Sequence, residues 1–403
     1  MRTIHAIAAA GLLCSGAGAS ASETLQTLYS FQSTSDGKEP TASIAFDRKG
    51  DLFGTTRFGG ARNLGAVFEL TPPATGHTMW TEAVLNAFPT PKIDGGQPNG
   101  GAVVGPHGEV YGTTTFDGRH RCGTVFELLP VSGGWQQITL WEFGALGGDA
   151  CEPYAALTLD QSGAIYGNSL YGGKNGYGVV FKITPPKSSG KAAEALLFSF
   201  DGTGGSGPAS QMTFDAAGNL YGTTRSGDNG FGTVWKLTPP AQGATVWAET
   251  ILWQFSGQDG ESPAGGPLVF DKAGALYGTC GTGGAGNYGV VFKVSPPQGS
   301  GTAWTESTVF SFDAQASFPN SGVVFSSKGD LIGTTSSGDG AVYRLQPPAA
   351  GGTAWRENLL WQFSGSDGSN PESPLVLRPH GVIFGTTATG GTSGYGTVWK
   401  LTP

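Results

Sequence analysis

DAAGNLYGTTRSGDNGFGTVWKLTPP, residues 215–240, is the stretch from which the fold can be read, because its skeleton returns about every 55 residues along the chain. Its inner LYGTT-like pentad occurs seven times, with the central glycine at Gly54, Gly112, Gly167, Gly222, Gly278, Gly333 and Gly385. A period of 52 to 58 residues lies near that of blade-type repeats and well above that of short solenoid coils, so the 403 residues are expected to form one multi-unit domain. The 69 glycines and 25 prolines would signal low complexity if scattered, but here they are periodic. With 13% charged and 38% hydrophobic residues, the composition fits a β-rich chain with many tight turns and excludes a disordered one.

Each unit reads as four short strands. The first is a brief apolar stretch such as 44–46 or 268–270, often closed by an aspartate (Asp47, Asp160, Asp215, Asp271). A tight turn follows, ending in a glycine such as Gly50 or Gly218, where a hairpin needs positive φ. The second strand is the pentad, whose central glycine is expected to let a neighbouring strand approach closely. The third, typified by 232–237, alternates with period two and is stopped by Pro-Pro in five internal copies. The fourth carries a W-x-E-x-x-L-x-x-F-like pattern, as at 80–88, 247–255, 304–312 and 355–363. Helical periodicity is weak throughout, so an almost purely β protein is predicted.

The two ends complete the picture. A fourth-strand-like segment, 24–31, precedes the first full unit, and the last unit stops after its third strand at 396–402. A ring closed by the N-terminal strand pairing with the C-terminal blade uses both pieces and removes exposed sheet edges. The expected fold is a seven-bladed β-propeller of four-stranded antiparallel blades over residues 22–403.

The repeated LYGTT, GGxxGxGTVFKLTP-like and DGxxP elements resemble the bacterial GloVer-type tandem repeat family across essentially the whole chain after the leader. The resemblance implies an exported protein. Many members carry varied C-terminal anchors, whereas this sequence runs to Pro403 with none, and the resemblance brings no activity with it.

Residues 1–21 read as an export signal: Arg2 gives a basic start, 4–13 is a short apolar run, and Ala17-Gly18-Ala19 or Ala19-Ser20-Ala21 offers a cleavage site. The run is too short to span a bilayer, and no membrane span is expected elsewhere. The net charge of −8 argues against nucleic acid and dense polyanions as partners. A secreted, periplasmic or cell-surface monomer is expected. In an oxidising compartment Cys122, expected to begin a strand, and Cys151, in the loop to the next unit, are expected to form a disulfide. Cys280 reads as a buried, inert thiol.

In a propeller the connections between blades and the loops between second and third strands share one face. The inter-blade connection repeats Asp-x-x-x-Pro at Asp36, Asp94, Asp149, Asp259 and Asp367, with Gly204 and Gln315 breaking the pattern. Such a ring could bind calcium, but one Asp per blade at regular spacing fits Asx-turns better, and no metal or cofactor is expected. The second loop places Tyr177, Phe231, Tyr288 and Tyr395 before the third-strand glycine, a partial ring able to stack on sugars or to cover the adjacent blade. In blade two, Asp117-Gly118-Arg119-His120-Arg121 replaces the glycine-rich loop. There His120 could act as base and Arg119 or Arg121 as charge clamp in a polysaccharide lyase; as a solvated loop the cluster needs no function. His107 and His380 lie in Pro-His-Gly turns expected on the opposite face. A GxGxxG match at 281–286 leads into a strand instead of a helix, and C-x-x-C, H-E-x-x-H and G-x-S-x-G are absent, which excludes dinucleotide binding and leaves zinc and serine-hydrolase readings without support. The expectation is a non-enzymatic binding module for a glycan, cell-surface polymer or protein, with a lyase or a structural envelope protein as alternatives.

Overall fold

Seven antiparallel sheets follow one another along the chain in a computed structural model that describes residues 23–403 apart from 187–189, 242–245, 264 and 300. The expected signal, 1–21, lies outside the described residues. In blade one the strands are Ala45–Phe46, Leu52–Thr56, Ala66–Thr71 and Thr81–Asn86, paired in that order. The other blades repeat the order. In blades three and four the innermost strand is split, as in Ala150–Pro153 and Thr158–Leu159. Blade seven takes its outer strand from the N-terminus: Thr24–Ser30 pairs antiparallel with Thr397–Thr402, Leu25 opposite Leu401. The described helix is confined to Pro91–Asp94 and a 3-10 turn at Pro379–Gly381.

The pentad explains the blade. In every blade its glycine lies directly opposite the third-strand aromatic: Gly54 and Phe68, Gly112 and Phe126, Gly167 and Phe181, Gly222 and Trp235, Gly278 and Phe292, Gly333 and Tyr343, Gly385 and Trp399. A methyl group on any of these glycines would fall within 2.6 Å of that ring. The glycine thus makes room for a neighbour's side chain, not for a bare strand as the sequence suggested.

Blades are joined by three contacts that recur seven times. The phenylalanine ending each fourth-strand pattern packs on the next blade's third-strand aromatic, from Phe31 on Phe68 to Phe363 on Trp399, ring centroids 4.8 to 5.7 Å apart. Such pairs contribute about 0.5–1.5 kcal/mol each beyond their buried area. The inter-blade proline packs on the glycine that precedes the previous blade's third strand; a methyl on Gly65, Gly178 or Gly396 would lie within 3.0 Å of Pro98, Pro208 or Pro40. The residue before that proline (Glu39, Gln97, Glu152, Gly207, Ser262, Phe318 or Asn370) is left-handed, with φ from 53° to 63°. Its N–H donates to a carbonyl of the previous blade at 2.7 to 3.1 Å. Left-handed backbone at a non-glycine costs about 1–3 kcal/mol, and these hydrogen bonds and packed prolines hold it in place.

Candidate functional site

The left-handed residue reverses the chain, so the proline turns back onto its neighbour blade and the next residue faces the ring axis. Thr41, Asn99, Tyr154, Ala209, Asn320 and Glu372 stand at that position, and with Gln211, Arg225 and Phe318 they line an axial cavity of about 460 Å³. Blade five contributes Gly265 and Gly266.

Two arginines, each directly after a pentad, act on the post-proline residue of the preceding blade. Arg57 of blade one faces Glu372 of blade seven. Burial raises the Glu372 carboxyl above its ordinary value and the Glu39 charge adds to this, while Arg57 opposes both. Arg225 of blade four lies over the Tyr154 ring, 4.7 Å from its centroid. Blades four and seven stand on opposite sides of a seven-membered ring, so the cavity has one wall with a guanidinium on an aromatic platform and another with a carboxylate.

The inter-blade aspartates cap their own loops. Asp36 accepts from the Gln32 and Ser33 N–H groups and from the Tyr29 hydroxyl, and Asp259 and Asp367 accept from Ser256 and Ser364 N–H and from the indoles of Trp253 and Trp361. In blades four and six, where the spacing breaks, Asp201 and Asp313 cap the loop from further upstream. Among the described residues no three His, Cys, Asp or Glu side chains converge as a metal site.

Beside these aspartates lie the fourth-strand glutamates, an arrangement the sequence did not announce. Burial, then the charge of Asp36, Asp201 or Asp259, pushes Glu82, Glu249 and Glu306 up to about 7. Glu194 beside Asp149 and Glu357 beside Asp313 are raised for the same two reasons. Hydrogen bonds to Asp36 outweigh its burial and lower it, so the proton of that pair rests on Glu82.

The aromatics expected to form a binding ring serve first through their backbone. The carbonyls of Tyr177, Phe231, Tyr288 and Tyr395 accept the blade-to-blade N–H groups. The rings of Phe231, Tyr288 and Tyr395 pack against inter-blade core clusters, whereas Tyr177 is 45% exposed. Cys122 occupies the same position in blade two. The strand there begins only at Thr124, and Cys151 lies in the short strand Ala150–Pro153, not in an irregular loop. The Cys122–Cys151 disulfide therefore reinforces a blade junction covalently. Cys280 is buried, which raises its thiol pKa.

Arg119, His120 and Arg121 are exposed on the blade-two loop, with Asp117 half-buried at its start. Arg119 Nε sits 3.3 Å from Glu142, and none of the four lines the axial cavity. Residues lining that cavity escaped the sequence reading, although a signal existed: in a strongly periodic frame, the residue after the inter-blade proline takes five identities over the seven units.

The fold has distant solved counterparts. The extracellular domain of a candidate hybrid two-component system from B. thetaiotaomicron aligns with a TM-score of 0.53 and 14% identity, covering 90% of this chain and 40% of that one. A candidate 6-phosphogluconolactonase from Bacteroides uniformis aligns with a TM-score of 0.50 and 14% identity, covering 83% of this chain and 88% of that one. At such identities the likeness is one of fold alone. No curated protein matches in sequence. The model of the Gloeobacter/Verrucomicrobia repeat matches twice, over residues 73–251 and 225–403, and the chain belongs to that repeat family.

Proposed function

We propose that the protein is an exported, non-catalytic module that binds a carbohydrate or the glycan part of a cell-surface polymer in the axial cavity. The supporting observation is the cavity's wall. Amides from Asn99, Gln211 and Asn320 can exchange hydrogen bonds with sugar hydroxyls, and Tyr154 and Phe318 offer flat apolar faces. A volume of about 460 Å³ falls within the usual range for small-ligand sites. The disulfide suits an oxidising compartment, and among the described residues no helix is long and apolar enough to cross a membrane.

The test is a screen of glycans and envelope fractions against the mature chain, scored for both retention and turnover. Retention of a glycan without product is expected. Unsaturated products absorbing in the near ultraviolet and lost in His120→Ala would establish the blade-two loop as a lyase centre instead. Retention of no glycan at all would overturn the proposal and leave protein partners or a structural role.

A further inference from the structure

A second cavity, of about 200 Å³ between blades three and four, adjoins the axial one at a shared residue, Arg225. Leu170, Tyr171 and Tyr177 also line it. Only three aromatic side chains among the described residues are exposed: Tyr171 at 55%, Tyr177 at 45% and Phe318 at 40%. All three line one or other of these two cavities. Blade three is also modified at this place, its second strand Ile165–Gly172 running three residues past the usual pentad and carrying Tyr171 outward.

Neither Arg57 nor Arg225 has a carboxylate within ion-pairing distance or makes a side-chain hydrogen bond among the described residues. Their surroundings differ: the Arg57 charge acts on the Glu372 carboxyl and its guanidinium lies over Phe58, whereas Arg225 lies over Tyr154 and lines both cavities. A guanidinium over an aromatic ring, with no ion-pair or hydrogen-bond partner among the described residues and lining two cavities, suits a planar, bidentate anion. The net charge of −8 opposes a densely anionic chain, which leaves a mostly neutral chain bearing an isolated acid.

Resting on the carbohydrate reading above, we infer that the two cavities form one extended site for a mostly neutral glycan chain carrying a carboxylated sugar. The acid group sits on Arg225 and successive sugar rings lie over Tyr171 and Tyr177. Chain length is then read by the groove and acidity by a single residue.

The experiment is calorimetric titration of the full chain with xylo-oligosaccharides of rising length, each with and without one glucuronate branch. The branched acid is expected to bind about tenfold tighter or more than its neutral counterpart, the usual worth of a charge-assisted pair. Arg225→Gln should abolish that difference, with Arg225→Lys intermediate. Tyr171→Ser and Tyr177→Ser should weaken the longer oligomers and spare the shortest. Neutral and acidic oligomers of equal affinity, a preference that survives Arg225→Gln, or affinity independent of length would each overturn this inference while leaving glycan binding intact. A sulfated oligomer as tight as the glucuronate one would overturn the carboxylate assignment. Failure of every oligomer, including neutral glycans retained in no screen, would overturn both readings.

Discussion

The residues on either side of the inter-blade proline behave in opposite ways. The one before it does the same work in all seven blades, turning left-handed and donating its N–H to the previous blade whether it is Glu39, Gln97, Phe318 or Asn370. The one after it has the same backbone placement but varied chemistry, from a carboxylate and an aromatic ring to amides and a methyl group: Thr41, Asn99, Tyr154, Ala209, Asn320, Glu372. Repetition thus marks what holds the ring, and variation within the repetition marks what the ring presents. A site on such a scaffold is changed by replacing one side chain per blade, without touching a junction.

The comparison predicts that junction changes are severe. Gly396→Val places a branched side chain against Pro40 at a residue whose φ is +98°; strain and overpacking together should cost about 4 kcal/mol in urea unfolding. Gly50→Ala, with φ of +95° but open space around it, should cost only about 1 kcal/mol. Equal losses in the two variants would remove the proline clasp from the account. Next in size is the covalent junction: replacing both Cys122 and Cys151 by alanine, across a 29-residue separation, should lower stability by about 2–4 kcal/mol.

A smaller effect follows from the glutamates beside the loop aspartates. Folding raises Glu82, Glu249 and Glu306 from an ordinary 4.5 to about 7, so the folded chain binds more protons between those values. Their contribution is complete below the unfolded value of 4.5 and is lost as pH rises through about 7. Thermal midpoints followed across that interval should fall with rising pH, and the triple change of these glutamates to glutamine should flatten the profile. The smallest effect belongs to the cavity: Asn320→Ala should leave stability within about 0.5 kcal/mol of the parent, while a junction change never does.

Much of this was legible beforehand because it depends on backbone needs that only a few residues satisfy. A glycine-centred pentad repeated seven times, prolines ending strands, and an extra strand at one end matched by a missing one at the other have few interpretations, so seven blades and their order could be read directly. The disulfide was legible because both cysteines fell beside a blade connection. The site was not. The eye was drawn to His120 and its arginines, the densest chemistry in the chain, but that exposed loop contributes nothing to the axial cavity. Arg225, Tyr154 and Glu372 come from three different units, and only the curvature of the ring brings them to one cavity. The carboxylate pairs were hidden for a similar reason, since Glu82 and Asp36 lie 46 positions apart and meet only when the outer strand packs across the connection.

The most direct test is to titrate the best-retained glycan against three proteins: the parent chain, a Tyr154→Ala/Asn320→Ala variant, and His120→Ala. Binding at the axis predicts that affinity falls by about tenfold or more in the double variant and is unchanged in His120→Ala. Undiminished affinity in the double variant with loss in His120→Ala would contradict it.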